Sequence, residues 1–327
     1  MSAVYVPCRW IALTVWLAVS GSLWAAQPAQ ETSATRSAPP NGASTAALNP
    51  HYAGARFRQV EGADGVPLNV VEKGDPSLPP VLFIHGFRQS YLSWALQFGS
   101  DLDHRCHLVA FDLRGHGNSG HPWQKSAYDH ARPWAEDVAS VIQALNLRRP
   151  LIAAWSFGGT VAMDFATLHP EIPVAGYLLI GTAAGTAASP PPPAPPTPGP
   201  TQLPDLQRNV QAVEASMDLL FPTTAATPLD PTLRAQFKAA AMRVGPWVDQ
   251  GVAGRARTGK IDVQAPITFA TGGRDPIISP ATLARLKDFF PEARFVDFPS
   301  AGHAVFLDEA ASFNALLDQL QCHQSGS

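Results

Sequence analysis

The chain has 327 residues, and its apolar content of 46% supports a large buried interior. Lys and Arg (23) nearly balance Asp and Glu (26), which gives a formal net charge of -3 at pH 7 with no basic cluster. The balance of charge therefore argues against binding to nucleic acid or to anionic lipid, and we expect one domain with insertions.

The first 26 residues have the layout of a secretory signal peptide. Arg9 and the amino terminus supply positive charge, residues 11–23 are apolar, and Ala25-Ala26 offer a small-residue cleavage point. The alternative is an uncleaved membrane anchor, which the short apolar stretch disfavours. We therefore expect an exported protein, periplasmic or secreted, with no stable membrane association after cleavage.

A linker should separate this segment from the folded domain. Residues 27–54 are rich in Ala, Ser, Thr, Pro and Gln and have few large apolar side chains, so we predict a disordered stretch with order beginning near Ala55.

Strands and helices alternate through the first part of the domain. The apolar patterns predict a hairpin of strands 56–61 and 66–72, buried strands 80–84, 107–112, 151–155 and 174–180, and helices 91–102 (capped by Ser90), 132–145 and 157–169. Such alternation is typical of an α/β fold with a mostly parallel, doubly wound sheet covered on both faces.

The alternation stops at Gly181 and resumes near residue 263. Residues 189–200 are dominated by proline, which lacks the N–H that helices and central strands need, so we expect an extended tether there. With helices near 203–220 and 233–244, residues 183–262 read as a helical cap inserted after the sixth strand. A docking site for a proline-binding partner is the alternative reading of the tether. The large apolar side chains of the cap either line a pocket or form its own core: Met217, Leu220, Phe221, Met242 and Trp247.

The carboxyl-terminal part returns to the alternating pattern. We predict strands 267–271 and 294–298, a helix 280–290 between them, and one final helix running through Val305 and Leu320. The core is thus expected to comprise residues 55–182 and 263–322.

Ser156 stands at the junction of a strand and a helix. The apolar run 151–155 ends at Trp155, and glycines follow Phe157. A tight strand-turn-helix junction leaves little room two residues before and two residues after the serine, where Ala154 and Gly158 stand. The hydroxyl is then exposed beside the free N–H groups of a helix amino terminus, as a nucleophile requires.

This stretch resembles the nucleophile elbow of the α/β-hydrolase superfamily, G-x-S-x-G, with Ala154 in place of the first glycine. In that superfamily an acid follows the penultimate strand and a histidine follows the last, in the chain order Ser, Asp, His. The resemblance implies a catalytic triad of Ser156, Asp275 and His303, since Asp275 and His303 fall in those two places.

The same resemblance implies an oxyanion hole. Its donors would be the backbone N–H groups of Phe87, which follows His85-Gly86, and of Phe157, which follows the nucleophile. The side chains of Phe87 and Trp155 are expected to contact the substrate. His85 is interpreted as a structural residue that hydrogen-bonds loop backbone.

Residues 112–119 match the loop Asp-x-Arg-Gly-x-Gly-x-Ser of the same superfamily, in which Arg114 binds backbone carbonyls. Asp112, His116 and His121 could instead suggest a metal site. We favour the structural reading, because zinc ligands have tighter spacings and a further ligand is missing.

The resemblance implies hydrolysis of a carboxylic ester or lactone of a small to medium apolar substrate, through an acyl-enzyme on Ser156 and without a cofactor. Haloalkane dehalogenases and epoxide hydrolases of this fold use an aspartate at the position of Ser156, which argues against both. Small esterases, lactonases and cofactor-free haloperoxidases that make peracids share the triad and remain open. A non-catalytic ligand-binding protein of this fold is the alternative from another class. The pattern says nothing about oligomeric state.

Two cysteines remain after the signal segment. Cys106 precedes the strand 107–112 and Cys322 follows the last helix, and in the fold implied above the flanking helices share a face. A disulfide would be consistent with export, and two free thiols are the alternative.

Overall fold

The computed structural model describes residues 49–186, 206–221, 229–255 and 263–322. The predicted signal peptide, most of the predicted linker and the proline-rich tether lie outside these residues. No helix within the described ranges is long and apolar enough to cross a membrane.

One sheet of eight strands organises the described residues, in the order β1-β2-β4-β3-β5-β6-β7-β8. The strands are β1 (Arg56–Glu61), β2 (Pro67–Lys73), β3 (Pro80–Ile84), β4 (His107–Phe111), β5 (Leu151–Trp155), β6 (Gly176–Ile180), β7 (Ile267–Gly272) and β8 (Arg294–Phe298). Strands β3 to β8 run parallel, and β2 pairs antiparallel with β1 and β4. The predicted mostly parallel sheet is confirmed.

Helices cover both faces of the sheet. They are α1 (Ala95–Phe98), α2 (Ala131–Ala144), α3 (Phe157–Leu168), α4 (Leu206–Leu220), α5 (Pro231–Met242), α6 (Pro246–Gly254), α7 (Pro280–Phe289), α8 (Val305–Asp308) and α9 (Ala310–Leu320). Alternate residues of β3 enter opposite apolar layers: Leu82 belongs to the layer that includes residues of α2, α3 and α7, and Phe83 to the layer that includes residues of α1, α8 and α9. The side chains of a strand point alternately to its two faces. Because both faces of β3 are covered by helices, every residue of this strand is apolar.

Two predicted helices are interrupted. The helix expected over 91–102 is a 3-10 turn Tyr91–Trp94, the short α1, and a second 3-10 turn Asp101–His104. The break follows Gly99, and the Ser100 hydroxyl accepts a bond from Leu102 N and starts the next turn. The final helix is likewise two helices, α8 and α9, because Glu309 has a non-helical backbone between them.

Order begins earlier than the sequence predicted. Residues 50–52 form a 3-10 turn, and Tyr52 is 2% exposed, so the disordered linker does not extend to residue 54. The Tyr52 hydroxyl donates to Tyr91 O at 2.7 Å, and its ring packs 5.0 Å from the ring of Phe98. A buried tyrosine with its hydroxyl paired holds this segment on the domain.

Helices α4 to α6 form the cap, which is inserted between β6 and β7 as predicted. Phe221, after α4, packs 6.0 Å from the ring of Trp155, and a Cβ on Gly115 would meet Val248 of α6 at 2.6 Å. The cap therefore lies against the loops at the carboxyl ends of β4 and β5. Met217 and Phe221 are buried, whereas Trp247 is 37% exposed. Helix α6 was not predicted, although Gly245-Pro246 is a start signal.

Cys106 and Cys322 form a disulfide with a Cα–Cα distance of 5.4 Å. Both residues lie in the apolar layer of α1, α8 and α9, which confirms the expectation that the flanking helices share a face. Cys106 precedes β4, so the bond is at the amino-end edge of the parallel strands.

Candidate active site

Ser156 occupies a sharp turn between β5 and α3. Its φ of 53° and ψ of -117° lie outside the regions that side chains normally allow. A Cβ on Gly158 would lie 2.5 Å from Ile84 O and 2.6 Å from His85 O, so only glycine fits there. The close packing around the elbow is what the small residues of the sequence predicted.

Asp275 and His303 meet at the carboxyl-end edge of the sheet, after β7 and β8. His303 Nδ1 lies 3.0 and 2.9 Å from the two carboxylate oxygens of Asp275. A carboxylate can only accept, so Nδ1 carries a proton, and in the neutral imidazole the lone pair lies on Nε2. Ile277 N and Ile278 N also donate to Asp275 Oδ1. Burial alone would raise the pKa of Asp275, but the hydrogen bond from His303, the charge that His303 carries when protonated and the two backbone N–H bonds together lower that pKa.

The residues beside Ser156 also hold His303. Trp155 Nε1 donates to His303 O at 2.9 Å, and a Cβ on Gly181 would lie 3.1 Å from His303 Nδ1. Ser156 N itself donates to Ile180 O, next to Gly181. His303 is fully buried, and its Nε2 has no hydrogen-bond partner among the described residues. The imidazole therefore lies close to the residues that flank Ser156, but the predicted hydrogen bond between Ser156 Oγ and His303 Nε2 is not formed in this structure.

This arrangement changes the interpretation of Trp155. Substrate contact was expected, but the side chain is 1% exposed, its N–H is committed to His303 O, and its ring lies 5.0 Å from Phe306. A Cβ on Gly86 would meet the same ring at 2.9 Å. Trp155 therefore supports the backbone of His303 through its N–H and the 85–87 loop through its ring.

Phe87 and Phe157 lie side by side. Phe157 is the first residue of α3, and its ring is 5.9 Å from that of Phe87 at 74°. Within residues 49–186, neither backbone N–H donates to a backbone or side-chain acceptor. Both side chains are half-buried. These two N–H groups, one on the residue after Ser156 and one on the residue whose ring contacts it, are available to bind a negative oxygen.

His85 fixes the loop that carries Phe87. Its Nδ1 donates to Gly86 O at 2.7 Å, and its Nε2 accepts from Leu113 N at 3.0 Å. Burial lowers the pKa of His85 to about 4, so the imidazole stays neutral and both bonds persist near neutral pH. This geometry fits the structural role inferred from the sequence.

The loop 112–119 is held by its own side chains. Arg114 is fully buried and donates to Ala63 O, Ala127 O and both oxygens of Asp137. Asp112 accepts from three N–H groups, those of Asn69 Nδ2, Tyr91 N and Asn118 N.

The two histidines of the alternative metal site bond backbone carbonyls. His116 Nδ1 donates to Arg114 O, and His121 Nε2 lies 3.4 Å from Gly117 O. Among the residues that the structure describes, no group of His, Cys, Asp or Glu is arranged to hold a metal ion.

The sequence analysis missed the residues that connect the cap to this site. Arg88 and Asp249 form a bidentate ion pair, and Arg255 pairs with Asp164 of α3. Single charged residues far apart in the chain carry no local pattern, and α6, which ends just before Arg255, was itself not predicted.

Comparisons with known proteins agree with this architecture. The family model for the alpha/beta hydrolase fold matches residues 79–310. AB hydrolase superfamily protein YisY of Bacillus subtilis is 26% identical over 254 residues, which cover 73% of this chain and 90% of YisY. Epoxide hydrolase A of Mycobacterium tuberculosis is 32% identical over 118 residues, only 36% of either chain.

A solved structure extends the comparison. The crystal structure of a putative aryl esterase from Burkholderia cenocepacia superposes with a TM-score of 0.71 at 29% identity, over 81% of this chain and 97% of that one. With the family model spanning most of the chain, the protein belongs to the α/β hydrolase fold family.

Proposed function

We propose that the protein is a serine ester hydrolase that forms an acyl-enzyme on Ser156. The observation that carries the proposal is the constellation at the elbow: a strained Ser156 beside a buried His303 whose Nδ1 is paired with Asp275 and whose Nε2 has no partner among the described residues. The aspartate nucleophile of epoxide hydrolases is absent, since the elbow holds serine.

The chemistry follows from the free lone pair on His303 Nε2. Ser156 Oγ attacks the carbonyl carbon while Nε2 takes its proton, and Asp275 stabilises the imidazolium that forms. The imidazolium then protonates the leaving alcohol, and the acyl group remains on Ser156. A water molecule attacks that acyl group with His303 again as base, which releases the acid and restores the serine.

The carbonyl oxygen becomes negative in both tetrahedral intermediates. The N–H groups of Phe87 and Phe157 are the proposed donors to it, and the amino terminus of α3 adds its positive dipole end. Each donor of this kind is worth about a hundredfold or more in rate.

The proposed substrate is an ester or lactone of small to medium apolar character. In support, the half-buried rings of Phe87 and Phe157 lie side by side next to the elbow. The similarity to the putative aryl esterase from Burkholderia cenocepacia favours aryl esters as first substrates. Adding hydrogen peroxide to the same assay tests whether the acyl-enzyme also makes peracids.

A fluorophosphonate probe and an aryl acetate test the proposal. We expect wild-type protein to be labelled on Ser156, and Ser156→Ala to lose labelling and at least about a thousandfold in kcat. Ser77→Ala is the control, because Ser77 is exposed and, within the described part of the chain, its hydroxyl bonds only Asp75. Folded wild-type protein that neither reacts with the probe nor hydrolyses esters would instead support a ligand-binding protein.

A further inference from the structure

Two ion pairs connect α6 and the residue after it to the two segments that carry the proposed oxyanion-hole donors. On one side, Asp249 of α6 binds Arg88, the residue directly after Phe87, with Nε–Oδ1 at 3.1 Å and Nη2–Oδ2 at 2.5 Å. On the other side, Arg255, which follows α6, donates from Nη2 to Asp164 Oδ2. Asp164 lies on α3, the helix that begins at Phe157.

The Arg88 side chain hydrogen-bonds to all three helices of the cap. Its Nη1 donates to Ala241 O of α5 at 3.3 Å and to Asn209 Oδ1 of α4 at 3.4 Å, in addition to the pair with Asp249 of α6. Its backbone has a φ of 58°, a left-handed conformation that is unfavourable for a residue with a side chain. The contacts of its guanidinium with the cap therefore hold in place a backbone that is adjacent to the Phe87 N–H.

Arg255 supports the second donor. Its guanidinium lies 5.5 Å from the centre of the Phe157 ring and 5.7 Å from that of Trp134. Arg255 is 8% exposed and Asp164 is 1% exposed. A buried ion pair adds little stability compared with apolar residues of the same shape, but its directional bonds favour one arrangement. The cation over Phe157 thus restrains the first residue of α3.

We propose that α6 is a positioning element for the oxyanion hole, acting through the pairs Arg88–Asp249 and Arg255–Asp164. The two pairs run in opposite directions, core arginine to cap aspartate and cap arginine to core aspartate, so they fix the register of α6 on the core. The cap then governs the rate of the chemical step as well as the choice of substrate. This inference rests on the proposed esterase function.

An oxyanion exists in the transition state and not in the bound ester. Loosening its donors therefore lowers kcat while KM changes little. It also weakens the binding of tetrahedral analogues such as an aryl boronic acid, which bonds Ser156 Oγ through boron, more than it weakens the binding of the neutral ester.

The test is a double-mutant cycle on the half-buried pair, with Arg88→Gln, Asp249→Asn and the double variant. We expect each single variant to lose at least about tenfold in kcat on an aryl acetate, with KM within about threefold of wild type and an equal loss in boronate affinity. The double variant should lose no more than either single one, because the pair acts as a unit. Thermal unfolding checks that every variant is folded.

Matched controls separate this role from general loosening of the cap. Asp218→Asn breaks the pair with Arg234 between α4 and α5, and Arg243→Gln breaks a different polar contact between cap and core, Nη1 to Asn118 Oδ1 at 2.9 Å. Both should keep kcat within about twofold of wild type. For the buried pair, Arg255→Met with Asp164→Leu keeps the shape without charge, and it should stay folded with kcat reduced.

Three results would overturn the inference: unchanged kcat in Asp249→Asn, a raised KM with kcat preserved, or an equal loss of kcat in Arg243→Gln. A wild-type protein without ester turnover and without a Ser156 adduct would overturn the proposed function instead, so the two failures are distinguishable.

Discussion

The backbone of Ser156 is held in a conformation that its side chain disfavours, and the residues around it show how. Residues in such regions cost about 1 to 3 kcal/mol and persist only where the surroundings impose them. Here the surroundings are Gly158 against the carbonyls of Ile84 and His85, and Gly159 against Thr182, where an added Cβ would lie 2.6 Å from the side chain. Ala154 in place of the usual glycine is tolerated inside β5, where it is fully buried.

Gly158→Ala tests the packing of the elbow. The new Cβ would meet two backbone carbonyls, which cannot rotate away as a side chain does, so we expect a lower melting temperature and a large loss of kcat. Gly245→Ala is the control, because a Cβ there meets nothing within 4 Å. Wild-type activity in Gly158→Ala would mean that the 84–86 segment yields, and that the elbow does not depend on a glycine.

Asp275→Asn tests the orientation of His303. Asparagine keeps the shape but removes the charge that selects the Nδ1–H tautomer, so we expect kcat to fall by about 10³ to 10⁴. Activity retained within tenfold would show that another group orients the imidazole.

The same variant carries a stability prediction with a definite sign. The pKa of Asp275 is lowered in the native state relative to its ordinary value of 3.8, so the ionised form favours folding. Its contribution is fully present above about pH 5 and is lost as pH falls through the lowered pKa. The difference in free energy of unfolding between wild type and Asp275→Asn should therefore shrink as pH falls from about 5 to below about 4, as measured by urea unfolding. A difference that grows in acid would contradict this.

At the scale of elements, the disulfide ties the end of α9 to the start of β4. The bonded residues are 216 apart in the chain, so the cross-link closes a long loop in the unfolded state. Both cysteines are buried in the same apolar layer as α1 and α8. The bond therefore supports the domain at the edge opposite to Ser156.

Cys106→Ser with Cys322→Ser should lower the free energy of unfolding by about 2 to 5 kcal/mol. The value of kcat should stay within about twofold of wild type, because the carboxyl-end edge of the sheet is untouched. Urea unfolding of oxidised wild type, reduced wild type and the double variant makes the comparison. Identical unfolding midpoints in all three would show that the bond adds no stability.

At the scale of the whole molecule, we propose that the protein is exported. The signal-like residues 1–26 and the Cys106–Cys322 bond support this proposal, because disulfides persist in oxidising compartments. Expression of the full chain in a bacterial host should give a mature periplasmic or secreted form about 26 residues shorter by mass spectrometry, with no free thiol. Recovery of the uncleaved chain in the membrane fraction would favour the anchor instead.

Much of the fold was predictable because its signals are local. Continuous apolar runs predicted β3 to β6, because strands that are buried on both faces have apolar residues on both. The breaks at Gly99 and Glu309 were not predicted, because apolar spacing continued across them while the local backbone did not. Helix α6 was not predicted because it is short and its buried residues, Val248 and Gly251, form no long apolar stripe.

The sequence by itself determined the elbow and the chain order of Ser156, Asp275 and His303, because small residues around a turn and polar residues at strand ends are local features. Only the tertiary structure decided which partners meet: the Trp155 indole on His303 O, 148 residues away, and the ion pairs of Arg88 and Arg255 with Asp249 and Asp164. The physical reason is that a hydrogen bond or ion pair depends on ångström-scale placement by the packed core. The sequence around a single polar residue does not indicate which distant residue will be its partner.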